Sequence, residues 1–274
     1  MIRLNRRRRT AAMTMLAAAL LVSILLGGLL TSSESINSHL EIRNQAPSWD
    51  HPFGTDWLGR DMFIRTLKGL VLSIGVGMTA AAASVIIAMA LGLAAATMGK
   101  AVDRAISWLI DLFLSVPHLV TLILIAFVLG GGAKGVIIGI ALTHWPSLSR
   151  VIRAEVMQLR SADYVQLSRH LGKSRWWIAT RHLLPHLTPQ FVVGLLLIFP
   201  HAILHEAAIT FLGMGLSPHQ PAIGVILSES MRYLSTGMWW LAFFPGICLL
   251  LIVRAFDVLG SNLQALLDPH KAHE

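Results

Sequence analysis

The sequence predicts an all-α polytopic membrane protein with six transmembrane helices and both termini on the cytoplasmic side. Three observations predict it. Of 274 residues, 55% are hydrophobic and only 13% are charged, against about 25% charged in a water-facing domain. The apolar residues fall in long runs, and the mean hydropathy is +0.66. The basic residues gather between alternate runs, which fixes an orientation. So little charge cannot coat a soluble surface of this size, and the long apolar runs exclude a disordered chain.

The first run, 11–30, follows the basic start Arg3, Arg6, Arg7, Arg8 and Arg9. About 20 residues suffice to cross a hydrocarbon core of ~30 Å. A secretory signal has a shorter apolar region, and no small-x-small cleavage site follows, so the run reads as an uncleaved span. Further spans are expected near 69–98, 105–129, 136–148, 191–214 and 239–260, the fourth being short. With the N-terminus inside, segments 1–10, 99–104, 149–189 and 254–274 face the cytoplasm and hold 16 of the 22 Lys and Arg, seven of them in 149–189. The outer segment 31–66 carries Glu34, Glu41, Asp50, Asp56 and Asp61. The net charge of +8 is therefore mainly a record of topology. The basic residues flank spans and form no dense patch interleaved with aromatics, which argues against nucleic-acid binding. The single cysteine, Cys248, excludes an intrachain disulfide and a thiolate metal cluster.

The inside loop 149–189 reads as two short helices around a glycine. Ser161 can cap the first helix and Asp163 sits in its first turn, where the helix dipole favours an anion. Tyr164, Leu167 and Leu171 fall at i, i+3 and i+7 and make one apolar stripe. Gly172 fits the left-handed position after a helix. Ser174 can cap the second helix, which runs through Trp176, Trp177 and Ile178, and Pro185 and Pro189 end it before the next span. A stripe flanked by Arg169, Lys173, Arg175 and Arg181 needs a partner, either anionic lipid or a groove on another protein.

Three enzymatic motifs fail. Gly172-Lys173-Ser174 lacks the phosphate-loop glycine five positions earlier, where Leu167 stands, and no strand precedes it, so the chain should not bind ATP itself. His205-Glu206 begins like HExxH, but its fifth position is Ile209. No Gly-x-Ser-x-Gly elbow occurs.

Ionisable groups within spans cost about 2.5–3.5 kcal/mol each even on the lenient insertion scale, so each needs a reason. Asp111 and Arg254 lie at similar depth and can pair. Arg254 can instead pair with Asp257 at i+3 or snorkel to the headgroups. His201 and His205 share a helix face at i and i+4, with Glu206 beside them and His118 near the depth of His205. His201 and His205 could hold a divalent metal transiently, or serve as interhelical hydrogen-bonding groups, so His118, His201, His205 and Glu206 are candidates for a translocation path. Pro117, Pro200 and Pro245 fall within spans, as hinges or as static bends.

The loop carries a resemblance. Asp163-Tyr164-Val165-Gln166-Leu167-Ser168-Arg169-His170-Leu171-Gly172, with Leu184-Pro185 twelve and thirteen residues on, is similar to the EAA loop of ABC-importer membrane subunits. Gln166-Leu167-Ser168 replaces Glu-Ala-Ala, and His182 replaces Ile. Gly54-Thr55-Asp56-Trp57-Leu58-Gly59-Arg60-Asp61, Phe211-Leu212-Gly213-Met214-Gly215 with Pro218, and Asp268-Pro269 resemble segments of the dipeptide/oligopeptide/nickel permeases. The His201–His205 spacing resembles that of the nickel permease before its Phe-Leu-Gly.

The resemblance implies a MetI-like ABC importer permease bundle in the bacterial inner membrane. Residues 1–66 would form the N-terminal tail, first span and periplasmic segment, 67–266 the permease core, and 267–274 a cytoplasmic tail. It implies a second homologous permease, two ABC ATPases that carry ATP and Mg, and a periplasmic binding protein. This chain itself would bind no cofactor and do no bond chemistry. Asp163, Tyr164, Leu167, Ser168, Leu171, Gly172, Leu184 and Pro185 would dock the ATPase. The substrate would be a nickel or metal chelate, or a di- or oligopeptide. The alternative is a self-sufficient secondary transporter or channel, which would leave the capped amphipathic loop without a task.

Overall fold

The computed structural model describes residues 6–31 and 37–267. Arg3, Glu34, Asp268 and Pro269 of the sequence reading lie outside them. In chain order the helices are α1 (Arg6–Leu30), α2 (Met62–Thr97), α3 (Lys100–Ser115), α4 (His118–Val128), α5 (Gly132–Leu159), α6 (Asp163–His170), α7 (Arg175–Ile178), α8 (Leu184–His186), α9 (Thr188–Phe211), α10 (Ile223–Met231) and α11 (Trp240–Leu267). Among the described residues there is no strand, only one isolated bridge between Thr55 and Asp61. Among the described residues five helices, α1, α2, α5, α9 and α11, are long and apolar enough to cross a membrane. The pair α3 and α4 makes a sixth span if it is counted as one.

Two expected spans differ from what is observed. The third is broken by a 97° bend between α3 and α4. Val116 is extended and Pro117, without an N–H, stands at the N-cap of α4. The fourth is not short. α5 runs for 28 residues, passes through Pro146 and continues over 149–159, where a loop was expected. The polar residues of that extension are matched by neighbouring helices. Arg153 holds Asp103 of α3 at 2.5 and 2.7 Å, Arg150 bonds Asp111, and Glu155 accepts from Gln190 at 3.0 Å. Polar residues that find partners on neighbouring helices give the helix no reason to stop.

Helix α2 is the axis of the bundle, about 54 Å long at ~1.5 Å per residue. It crosses α5 closely at Gly92, where a Cβ would lie 2.8 Å from the Ser149 carbonyl oxygen and 2.9 Å from Ile152. Small residues at such crossings let backbones approach. The interior forms two apolar clusters. One gathers Leu70, Ile74, Phe199, Ile203, Ile252 and Phe256 from α2, α9 and α11. The other gathers Ile106, Ile110, Trp145 and Ile152 from α3 and α5 with Val165, Ile178 and Leu183 from the 163–187 region. The second cluster seats the loop helices on the bundle.

At the opposite end of α2, segment 37–61 is folded around Asp56. Its carboxylate accepts from the backbone N–H groups of Leu58 and Arg60, from Arg60 Nε at 2.6 Å and from Arg65 Nη1 at 3.1 Å. Asp61 caps α2 through the Phe63 and Ile64 N–H groups and meets His51 Nδ1 at 2.7 Å. Gly59 takes φ +73°, and a Cβ there would strike the His39 carbonyl. The Gly-Thr-Asp-x-x-Gly-Arg-Asp motif is thus a turn that closes on its own aspartates.

Candidate functional site

The loop departs from α5 by a tight turn. Ser161, expected to cap α6, does not. Because α5 continues to Leu159, the Ser161 hydroxyl is drawn back to donate to the Gln158 carbonyl, and Ala162 stands at the N-cap without a side-chain bond. Asp163 opens α6 in its first turn. Gly172 takes φ +75°, as a left-handed C′ residue should. Ser174 Oγ accepts the Trp177 N–H at 3.1 Å, so its cap forms. The chain then passes through a π turn, Ala179–Leu183, before α8. Pro185 lacks the N–H that would bond the Arg181 carbonyl, and the wider turn accommodates that gap.

The helix divides cleanly by face. Val165 is fully buried in the cluster with Ile106 and Ile152. Tyr164, Leu167 and Leu171 are 44%, 61% and 70% exposed, and Leu184, Pro185 and Trp176 are exposed beside them. His182, noted in the sequence only as a replacement for Ile in the EAA-loop pattern, ties the two halves together. The Ser168 hydroxyl donates to the Tyr164 carbonyl at 2.9 Å, so His182 Nε2 donates to Ser168 Oγ at 3.0 Å. The His182 ring also packs edge-on against Tyr164 and Trp177 at 5.5 and 5.2 Å. Lys173 lies over the Trp177 ring at 5.1 Å.

Beneath the loop, Arg160 reaches the Ala96 carbonyl at the C-terminus of α2, where a cation suits the helix dipole. Arg169 and Arg175 line a small cavity with it. Burial, with the like charges of Arg169 and Arg175, holds the Arg160 guanidinium below its usual range.

The membrane histidines regroup. His201 is exposed and is not one of the three rings that converge, and its carbonyl oxygen lies 2.8 Å from His205 Nδ1. The ring of His205 instead meets His118 at the start of α4 and His144 of α5, with centroids 4.8 and 5.0 Å away, and His118 and His144 are 4.3 Å apart. His118 lies level with His205 as expected, brought there by the bend at Pro117. His144 was missed, because no spacing links residue 144 to 118 or 205. Glu206 lies apart from this group. It is fully buried and its Oε1 accepts from Thr210 at 2.9 Å. Asp111 pairs with Arg150, not with Arg254, because α5 extends far enough to bring Arg150 to it. Arg254 meets Asp257 at 3.5 Å across one turn of α11.

Residues 88–273 match the family described as the inner membrane component of binding-protein-dependent transport systems. The chain belongs to that family. It is 33% identical to the dipeptide transport system permease protein DppC of Bacillus subtilis (strain 168) over 245 residues, 89% of this chain and 77% of that protein. It is 35% identical to the dipeptide transport system permease protein DppC of Alkalihalophilus pseudofirmus over 241 residues, 88% of this chain and 79% of that protein. The permease is an inner-membrane component of an ABC importer, and its apolar helices are the spans such a component requires.

Proposed function

We propose that this permease lines one half of a translocation pathway for di- or oligopeptides and is driven through α6 by a separate ABC ATPase. The orientation inferred from charge places α6 in the cytoplasm. A second, homologous permease completes the pathway, and a periplasmic protein delivers the substrate. The permease performs no bond chemistry. Its part is to switch between two packings of the bundle as ATP is bound and hydrolysed elsewhere. The observation that carries this reading is the two-faced α6. Val165 is locked into the core with α3 and α5, while Tyr164, Leu167 and Leu171 stand exposed on a helix braced by His182. An exposed apolar helix face held this firmly suits a protein groove. The bundle can then be pushed through Val165.

The peptide substrate rests on the names of the two relatives, and a metal chelate is the competing cargo. The test is a Leu167→Asp/Leu171→Asp double variant. The chain should remain in the membrane at normal level but lose co-purifying ATPase and labelled dipeptide uptake. Retention of both would overturn the docking assignment. Uptake of labelled nickel without dipeptide uptake in the parent strain would overturn the peptide assignment.

A further inference from the structure

The convergence of His118, His144 and His205 is not explained by packing alone. One ring nitrogen from each lies within 4.8 Å of the other two. The three residues come from three helices, so the cluster is a product of the tertiary fold. All three are half-buried, reachable yet shielded from bulk water.

Their hydrogen bonds also set the protonation pattern. His144 Nδ1 lies 3.0 Å from the Ile140 carbonyl, which can only accept, so Nδ1 carries the hydrogen. In the neutral ring Nε2 then presents a lone pair, and it faces His205 Nδ1 at 3.2 Å. A backbone carbonyl bound to the far nitrogen is the usual support of a metal-ligating histidine. His205 Nδ1 is likewise fixed as a donor by the His201 carbonyl at 2.8 Å, so Nε2 is the nitrogen of that ring left with a lone pair. The third ring supplies the anomaly. His118 Nε2 is buried and has no hydrogen-bond partner, a state native structures seldom leave unexplained.

We infer that His118, His144 and His205 form a binding site for a divalent transition-metal ion. Three imidazoles suit cobalt, nickel or zinc better than calcium or magnesium. No Asp or Glu joins the group among the described residues. A fourth position therefore falls to water or to a carboxylate or amine carried by an incoming ligand, as in open three-histidine sites. Metal binding by this chain stands on the geometry alone. That the ion travels as cargo, chelated or free, rests in addition on the proposed transport pathway.

The test uses the assembled transporter, purified through a non-histidine tag, reconstituted in nanodiscs and titrated with cobalt(II). One cobalt per chain should bind, with the visible absorption of a low-coordinate nitrogen site, and nickel and zinc should displace it. His118→Gln, His144→Gln and His205→Gln should each weaken binding about tenfold or more. His201→Gln should leave it unchanged. The inference is overturned if the triple glutamine variant binds cobalt as the parent does. It is equally overturned if the parent complex binds none while it still co-purifies with ATPase and takes up dipeptide. Cobalt binding that persists in a chain without ATPase or uptake supports the metal site and tells against the transport reading alone.

Discussion

Arg65 and Glu229 are 164 residues apart in sequence and meet at 2.5 Å in the fold. Arg65, in the first turn of α2, is 2% exposed and also holds the fully buried Asp56. Trp57 stacks on Tyr233 at 4.5 Å, with the Arg60 and Arg65 guanidiniums over its ring at 5.3 and 5.8 Å. The 37–61 segment, α2 and the end of α10 are thus fastened by one ionic and aromatic knot. A buried charge left without its partner is costly, about 3–5 kcal/mol. Arg65→Leu should therefore destabilise the chain strongly, seen as a large fall in the thermal midpoint in detergent. Arg65→Leu combined with Glu229→Leu should recover much of the loss, because Asp56 keeps Arg60 and its two backbone donors and no charge is then stranded. A single variant as stable as the parent would show that the knot contributes nothing.

Gly92 governs a different property, the approach of α2 to α5. A Cβ there would lie 2.8 Å from the Ser149 carbonyl oxygen, a backbone atom that cannot swing aside. Gly92→Val should force the two helices apart and cost about 1–3 kcal/mol, the usual range for overpacking. Folded yield after membrane extraction should fall, and residual uptake should fall with it. Gly75→Val is the control, since nothing lies within 4 Å of a Cβ at that position. If both variants extract equally well, the close crossing is not a constraint on stability.

Much of this was legible in the sequence because the bilayer enforces it. Backbone groups in hydrocarbon must bond within their own helix, so composition and run length reveal spans directly. Gly172 and Ser174, between α6 and α7, were legible for a similar reason, since a left-handed turn and a cap are local chemistry. What escaped was set by long-range partners. The extension of α5 depends on Asp103, Asp111 and Gln190, none of which is near it in sequence. The helix α10, nine residues long, is too short to read as a span, and its start is fixed by Ser73 accepting the Ile223 N–H at 3.2 Å. The histidine site was half visible. His118 and His205 were placed at one depth, but His201 was favoured because a regular spacing can be seen and a tertiary convergence cannot.

His182 is where the loop's shape and its task meet. Its Nε2–H reaches Ser168 on α6, and its ring touches Tyr164 and Trp177. With Val165 it fixes the angle at which the exposed stripe leaves the bundle. A net hydrogen bond contributes about 1 kcal/mol, roughly a fivefold change in how often α6 holds its docked posture. His182→Ala should leave chain level and span insertion intact, because the ring lies outside both long neighbouring helices. It should lower substrate-stimulated ATP hydrolysis by the assembled importer several-fold. Ser168→Ala removes the hydrogen bond and keeps the aromatic contacts, so it should fall between His182→Ala and the parent. Equal stimulation in all three would mean that α6 is held by Val165 alone and that His182 has no part in transmission.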